Sequence, residues 1–406
     1  MQNKQGFTLI ELLVVIGIVA ILSATVILVI NPAQLLRQAR DSNRLSDYGT
    51  LNQAFNLLGL YTEQVFGVAS TTYISIPDPT ATSTAGTDCS GVVGLPSLPP
   101  SWIYHCAASS TYRNVNGTGW MPVNFGLFSS GAPFSVLPVD PINKGGNFYA
   151  YVAGNNRYVF TILLESEKYL QKGKLALRDQ GTDPTRLESG TDLLLWARAS
   201  GLNGYWPFDA GSGTTANDSS GNGNTGTLLP LGSEPTWTTG KVGGAIQFDG
   251  LNDRVSIPIS PSLTIINAIT FSGWVKATKI LTTSVWENWL SYDHGFQYNI
   301  STDEHTFTIQ DAIGGSATIS RNRAFQPNNW HHIVGTADST SMYLYIDGVE
   351  IGSTPRSGNI KSPALPILIG NGGGLTQPWN GVIDEVRIHN RALSAPEVQA
   401  LYNATQ

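Results

Sequence analysis

Charge is scarce in this chain. Only 13% of its 406 residues are Asp, Glu, Lys or Arg, against 43 Gly and 22 Pro, a balance that favours short strands joined by tight turns over helical bundles. A basic surplus is also missing: 13 basic and 13 acidic residues precede Ala199, and 10 basic and 16 acidic residues follow from there. The whole net charge of −6 therefore sits in the C-terminal half, which cannot draw on counterion release from phosphates, so nucleic acid is not expected as its partner. Only two cysteines occur, Cys89 and Cys106. A closed structural zinc site wants four ligands, and His105 is the only extra candidate nearby. A disulfide closing a loop of 16 residues is the expected use, worth about 3 kcal/mol by loop-entropy arithmetic, with two unpaired thiols as the alternative. At this length two or three units are expected rather than one.

What is present begins with a long apolar run. From Phe7 to Ile30, FTLIELLVVIGIVAILSATVILVI holds 24 residues and a single charge, Glu11, with Lys4 before it and Arg37 and Arg40 after it. As a helix this is about 36 Å long, enough for a hydrocarbon core of about 30 Å. No small-residue cleavage site ends the run, so a secretory signal fits badly and the segment is expected to be retained. A carboxylate inside such a span costs about 2.5–3.5 kcal/mol and calls for a partner. KQGFTLIELLVVIGIVAIL resembles the leader and first helix of type IV prepilins and pseudopilins. That resemblance implies cleavage by a prepilin peptidase between Gly6 and Phe7 and methylation of the new Phe7 amine. It also implies pairing of Glu11 with the amine of a neighbouring subunit during assembly.

Asn31-Pro32 is expected to kink the helix. Beyond it Leu51, Phe55 and Leu58 recur at helical spacing, with Tyr48 one turn before, while Arg37, Arg40, Asp41, Arg44 and Asp47 are expected to face solvent or other subunits. NPAQLLRQARDSNRLSDYGTLNQAF is similar to the stalk of pilins and pseudopilins. After Gly67, TTYISIPDPTATSTAGTDCS reads as an exposed loop. Strands at 148–152 and 158–164 around GNN read as a β-hairpin, and Asp140 before a proline reads as turn chemistry, with calcium ligation as the alternative.

From Ala199 onward short strands alternate with turn signals at 245–249, 254–257, 269–276, 289–292, 296–300, 305–310, 330–337, 341–346 and 382–389, which predicts an antiparallel sandwich or jelly roll. Asp347-Gly348 is a two-residue hairpin signal. The series YWPFD, DSSGNGNTG, GGAIQFDG, FSGWVKA, WHHIVGT, LYIDGVEIG and GVIDEVRIHNRALSAPEVQALY resembles the laminin G-like, concanavalin A-like superfamily. The resemblance implies two antiparallel sheets that often bind glycans or proteins. No ExDxxE run of the related hydrolases occurs, and adjacent Asp384-Glu385 and His331-His332 point to opposite faces of a strand, so catalysis is not expected. Asp209, Asp218, Asn222, Asn224 and Asp384 are candidate ligands for a structural calcium ion, with turn and cap chemistry as the alternative. Trp286, Trp289, Tyr292, His294 and Trp379 are candidate ligand contacts, because sugar faces stack on aromatic rings.

The expected organisation is a mainly β protein with a long N-terminal α-helix. A leader spans 1–6, a transmembrane half-helix 7–30, an amphipathic stalk 31–60, a pilin-like α+β head 61–198 and the sandwich 199–406. The expected function is a minor or tip subunit of a surface filament, stored in the cytoplasmic membrane, with other pilins as partners and a glycan or surface protein as ligand. The rivals are a structural pseudopilin of a type II secretion or DNA-uptake system and a surface-anchored polysaccharide hydrolase.

Overall fold

The computed structural model describes residues 8–58, 67–82, 86–128, 131–154, 156–278, 287–292, 296–300, 304–322, 326–372 and 374–406, with the backbone alone for 24–30. Gly6, Phe7, Trp286 and His294 lie outside the described residues.

Two helices open the chain, α1 (Leu9–Ile30) and α2 (Pro32–Leu58). Asn31 separates them at φ 43°, in the left-handed region, and its carbonyl takes the Gln34 and Leu35 amides at 2.9 and 3.2 Å. Pro32 then stands first in α2, where its missing N–H costs nothing. The apolar side chains of α1 from Leu9 to Leu22 are exposed. Among the described residues no helix is long and apolar enough to cross a membrane.

α2 lies on a sheet of five strands, β1 (Thr71–Ile74), β2 (Ile103–His105), β3 (Ala150–Gly154), β4 (Arg157–Leu163) and β5 (Arg186–Gly190), in the order β2-β1-β3-β4-β5. Only β1 and β2 run parallel. Period-2 alternation divides these strands between two cores. Tyr73, Tyr151 and Phe160 face Leu51, Phe55 and Leu58 of α2, whose Phe55 ring stacks on Tyr158 at 4.3 Å. Ile74, Val152 and Val159 face the other way, against the disulfide and the short helix α3 (Leu194–Ala199). The stretch beginning TTYIS, expected as an exposed loop, is thus an inner strand. Its polar Thr71 and Thr72 are buried because β2 and β3 take up the backbone on both sides.

Cys89 and Cys106 are bonded, 17 positions apart. They tie the segment after β1 to the residue that follows β2. Asp78 shapes the same loop: its carboxylate accepts from the Thr80 amide and hydroxyl, at 2.8 and 2.7 Å, and from the Thr87 hydroxyl. Burial opposes its ionisation, but these bonds prevail and hold the pKa down at about 2. Replacing both cysteines by serine is expected to cost about 3 kcal/mol, read as a fall in the urea midpoint of the head. An unchanged midpoint would show the loop to be closed without the bond.

Most of the remaining chain forms two eight-stranded sheets. One runs Val349–Pro355, Ser341–Ile346, His331–Ala337, Ile269–Ala277, Asn380–His389, Gly244–Asp249 and Thr236–Thr239, with Leu202–Trp206 also paired to Asn380–His389. The other runs Ser316–Asn322, Glu304–Gln310, Phe296–Ile300, Glu287–Tyr292, Ile367–Ile369, Arg254–Ile257, Gly226–Leu229 and Thr215–Ala216. Their inner faces share one core that includes Trp206, Phe248, Phe271, Phe307 and Ile383. Asp347 and Gly348 both take positive φ, 53° and 76°, the pair a type I′ turn needs. The terminal helix α4 (Ala395–Thr405) starts with a capping box between Ser394 and Glu397, packs Val398 and Leu401 on Val334 and Tyr345, and sends Ala404 into the core of the head.

Candidate functional site

The N-terminal end is built around Glu11. Thr8 donates its amide and its hydroxyl to Oε2 of Glu11, each at 2.8 Å, and its oxygen accepts from the Glu11 amide at 3.3 Å. T-x-x-E is a capping box, so the carboxylate that breaks the apolar run also satisfies the Thr8 amide at the start of α1.

A buried ionic clamp joins the stalk to the head. Arg44 donates to both oxygens of Asp140, at 2.7 and 3.0 Å, to Asp41 at 2.9 Å and to Glu165. Arg40 grips Glu165 from the next turn at 2.7 and 2.6 Å. Asp41 in turn accepts from the amides of Glu165 and Ser166. Burial works against the Arg44 charge, but the bonds and charges of Asp140, Glu165 and Asp41 outweigh it and raise its pKa. The expectation that Asp41 and Arg44 face solvent or other subunits is corrected: both are buried within this chain. Asp47 also turns inward and accepts from the Tyr149 hydroxyl at 2.8 Å. Asp140 serves turn chemistry as well, taking the Ile142 and Asn143 amides.

In the sandwich the aromatic candidates are corrected too. Trp289, Tyr292 and Trp379 are fully buried members of the inner core and present no stacking face to a ligand. For Trp289 the cause is a register shift between Asn288 and Leu290, which turns this extra residue inward against Phe271, centroids 5.9 Å apart.

The same strand leaves Asn288 and Ser291 on the outer side, where they begin two cross-strand rows. Ser291, Gln297, Thr308 and Thr318 are partners in register, as are Asn288, Asn299, Thr306 and Ser320. Adjacent members bond to one another: Asn288 to Asn299 at 3.0 Å, Thr308 with Thr318 at 3.1 Å, Thr306 with Ser320 at 3.4 Å. Strand spacing makes this face about 14 Å wide and about 7 Å deep. The two rows carry only hydroxyls and amides, which both donate and accept, while Glu304 continues the same side of its strand one row further on. Oδ1 of Asn288 and Oγ of Ser291 are buried with no partner among the described residues. Sequence reasoning looked for aromatics and missed this face, although the alternation of Thr and Ser through 304–320 was its signal.

The oxygen-rich candidates serve two separate turns. Asp209 accepts the Gly244 amide at 2.6 Å, and Asp384 accepts those of Lys241 and Val242 at 2.8 and 2.9 Å. Asp218 accepts from the amides of Tyr205, Ser220 and Asn224, while Asn222 donates to the Leu202 and Asn203 carbonyls. Among the described residues no group of three or more His, Cys, Asp or Glu side chains could hold a metal ion. Burial, with the charge of Glu385, pushes Asp384 up to about 8. Glu385 pairs instead with Arg387 at 2.7 Å and takes the Tyr205 hydroxyl. His332 is driven down to about 3 by burial beside Trp274 and Tyr402, and His331 bonds Asp347 at 2.9 Å.

Two family models match the chain. Residues 1–27 fit the prokaryotic N-terminal methylation motif, and residues 248–399 fit the concanavalin A-like lectin/glucanases superfamily. No curated protein matches. Among solved structures, the binding domain of Paraclostridial mosquitocidal protein 1 aligns over 50% of this chain and 52% of its own at 18% identity and TM-score 0.44. The botulinum neurotoxin serotype G binding domain aligns over 50% of each chain at 20% and 0.41. Domain 4 of an extracellular arabinanase from Geobacillus stearothermophilus, solved with arabinotriose, aligns over 49% of this chain and 97% of its own at 23% and 0.40. The chain spans about half the length of the two toxin domains.

Proposed function

We propose that this chain, a prepilin-type methylation motif joined to a concanavalin A-like sandwich, is a minor or tip subunit of a type IV pilus-like filament that displays the sandwich for adhesion. The observation that carries it is the pairing of the two matches on one chain, 1–27 and 248–399. Prepilin peptidase would cut between Gly6 and Phe7, α1 would hold the subunit in the cytoplasmic membrane, and assembly with other pilins would carry the sandwich outside the cell. The exposed apolar length of α1 supports burial against lipid or neighbouring helices. Size supports a sparse position, since a sandwich of this bulk on every copy would crowd a closely packed filament. The hydroxyl and amide rows suit a neutral glycan, whose own hydroxyls match them in kind.

Glycan-array and whole-cell binding by the full chain in detergent tests the reading, with and without a chelator. Saturable binding is expected, falling about tenfold or more when Asn299→Ala and Thr308→Val remove two hydrogen-bonding groups from the outer face. Loss on chelation would bring in calcium, a proposal the donor geometry above does not favour. Silence toward glycans and cells in a chain that still assembles would favour a structural pseudopilin of a secretion or DNA-uptake system. The burial of Trp289, Tyr292 and Trp379 speaks for that second reading.

A further inference from the structure

A cavity of about 570 Å³ lies between the head and the sandwich. Its volume is in the range of small-molecule sites. From the sandwich come Arg387, His389 and Arg391, spaced two apart so that one side of the last strand and its extension faces the head. Each brings a buried nitrogen with no partner among the described residues: Nε of Arg387, Nδ1 of His389 and Nη1 of Arg391. From the head come Thr72 and Thr182, whose buried hydroxyls also lack partners, and Arg186.

Arg186 is the unusual member. It is 5% exposed, yet its guanidinium donates only to neutral acceptors, the Thr161 hydroxyl and the Phe148 carbonyl at 3.1 Å and the Gly146 carbonyl at 3.4 Å. Its flanks are the rings of Phe148 and Trp196, at 4.9 and 4.8 Å. Burial holds its pKa below the usual guanidinium value.

The carboxylates on the cavity wall are each taken up by other donors, Glu397 by the cavity's own Arg391, and Arg387 is already paired with Glu385. Glu165 is held by Arg40 and Arg44, Asp183 by Thr185 and the Trp196 indole, and Glu397 by Arg391 and Ser394. Lys144 and Arg37 add positive charge to the lining. A buried cation with no carboxylate in direct contact, only Asp183, Asp140 and Glu397 acting on it from a distance, is costly, and the donors gathered round it match an anion's acceptor oxygens.

We propose that this cavity binds a small oxyanion, a carboxylate or phosphate carried on a molecule about the size of one or two sugar rings. Arg186 supplies the charge, while Arg387, Arg391, Thr72 and Thr182 supply directed hydrogen bonds. The site uses both globular units, so its occupant would also set how firmly they are joined. It stands apart from the outer-face reading, since no residue of the two polar rows lines it.

The test is calorimetric titration of the full chain in detergent with glucuronate, glucose 6-phosphate and inorganic phosphate, using glucose as the neutral control. At least one anion is expected to bind saturably and glucose not at all. Preference for glucuronate would assign a carboxylate ligand, and preference for either phosphate a phosphate ligand. Arg186→Met is expected to weaken binding about tenfold or more and to remove the rise in melting temperature that the anion gives the wild type. Should Arg186→Met fail to fold, Thr182→Val decides: it keeps the charge, removes one unpartnered hydroxyl and is expected to weaken binding severalfold. Saturable binding of none of the anions, or wild-type affinity in Thr182→Val, overturns the proposal. Asn299→Ala on the outer face is expected to leave anion binding unchanged, which separates failure of this site from failure of the adhesion reading.

Discussion

Arg44→Ala should lower the stability of the head by about 3–5 kcal/mol, measured by urea unfolding followed through tryptophan fluorescence. The magnitude comes from what the substitution strands. Arg44, Asp41 and Asp140 are buried, and among the described residues Arg44 is the one side chain that touches Asp41, Asp140 and Glu165 together. Without it two carboxylates stay inside protein with only backbone donors, the amides of Ile142 and Asn143 for Asp140 and those of Glu165 and Ser166 for Asp41. Those amides soften the penalty and place the expected loss toward the lower end of the range. Arg40→Ala, which breaks only the partly exposed pair with Glu165, should cost about 1 kcal/mol or less. The double variant Arg44→Ala with Asp140→Ala should cost less than the two single losses added, because the second change removes a charge the first had orphaned. Strict additivity would show that the two do not act as a pair. The network's net worth is a separate matter, since an apolar set of equal volume would do as well or better for stability. What it supplies is direction. Three carboxylates and two guanidinium groups at fixed angles hold α2 against the head in one register, the property a stalk needs if it is to carry a head at a set orientation.

Such a clamp is hard to see in one dimension. Asp41 and Arg44 sit among Arg37, Arg40 and Asp47 on a helix whose apolar stripe begins only at Tyr48, so helical spacing alone assigns them to solvent. Their partners stand about a hundred residues on, at Asp140 and Glu165, where nothing local marks them. Features written in adjacent residues were legible: the Asn31-Pro32 break, the Asp347-Gly348 turn, the Leu51, Phe55 and Leu58 stripe and the alternating strands of the sandwich. Those that depend on a tertiary neighbour were not. Thr71–Ile74 looks like a polar loop until β2 and β3 supply hydrogen bonds on both sides. Trp289 points outward under simple alternation and inward once the irregularity after Asn288 shifts the count. The polar rows became a face only when four strands were laid side by side, and the anion cavity only when Arg186 met Arg387 and Arg391 across the boundary between the two units.

Glu11 carries the second large effect, and two substitutions separate its possible jobs. Its carboxylate caps α1 through Thr8, a local role worth about 1 kcal/mol that needs an acceptor oxygen but not a charge. In the proposed assembly role the charge itself matters, because it would meet the positive amine of a neighbour's Phe7 in an apolar setting where Coulomb attraction is strong. Glu11→Gln keeps the oxygen that accepts from the Thr8 amide and loses the charge, whereas Glu11→Ala loses both. If pairing drives assembly, both variants should be cleaved and retained in the membrane, more stably than wild type since a costly carboxylate has gone from the span, and both should be absent from sheared surface filaments. If the residue only caps the helix, Glu11→Gln should enter filaments at nearly the wild-type level and Glu11→Ala should be reduced in proportion to the fraying of its first turn. Filament entry by Glu11→Gln would therefore remove the charge from the assembly mechanism. Its exclusion, with cleavage after Gly6 intact, would show that assembly needs the carboxylate rather than the cap alone, as pairing with a partner's amine requires.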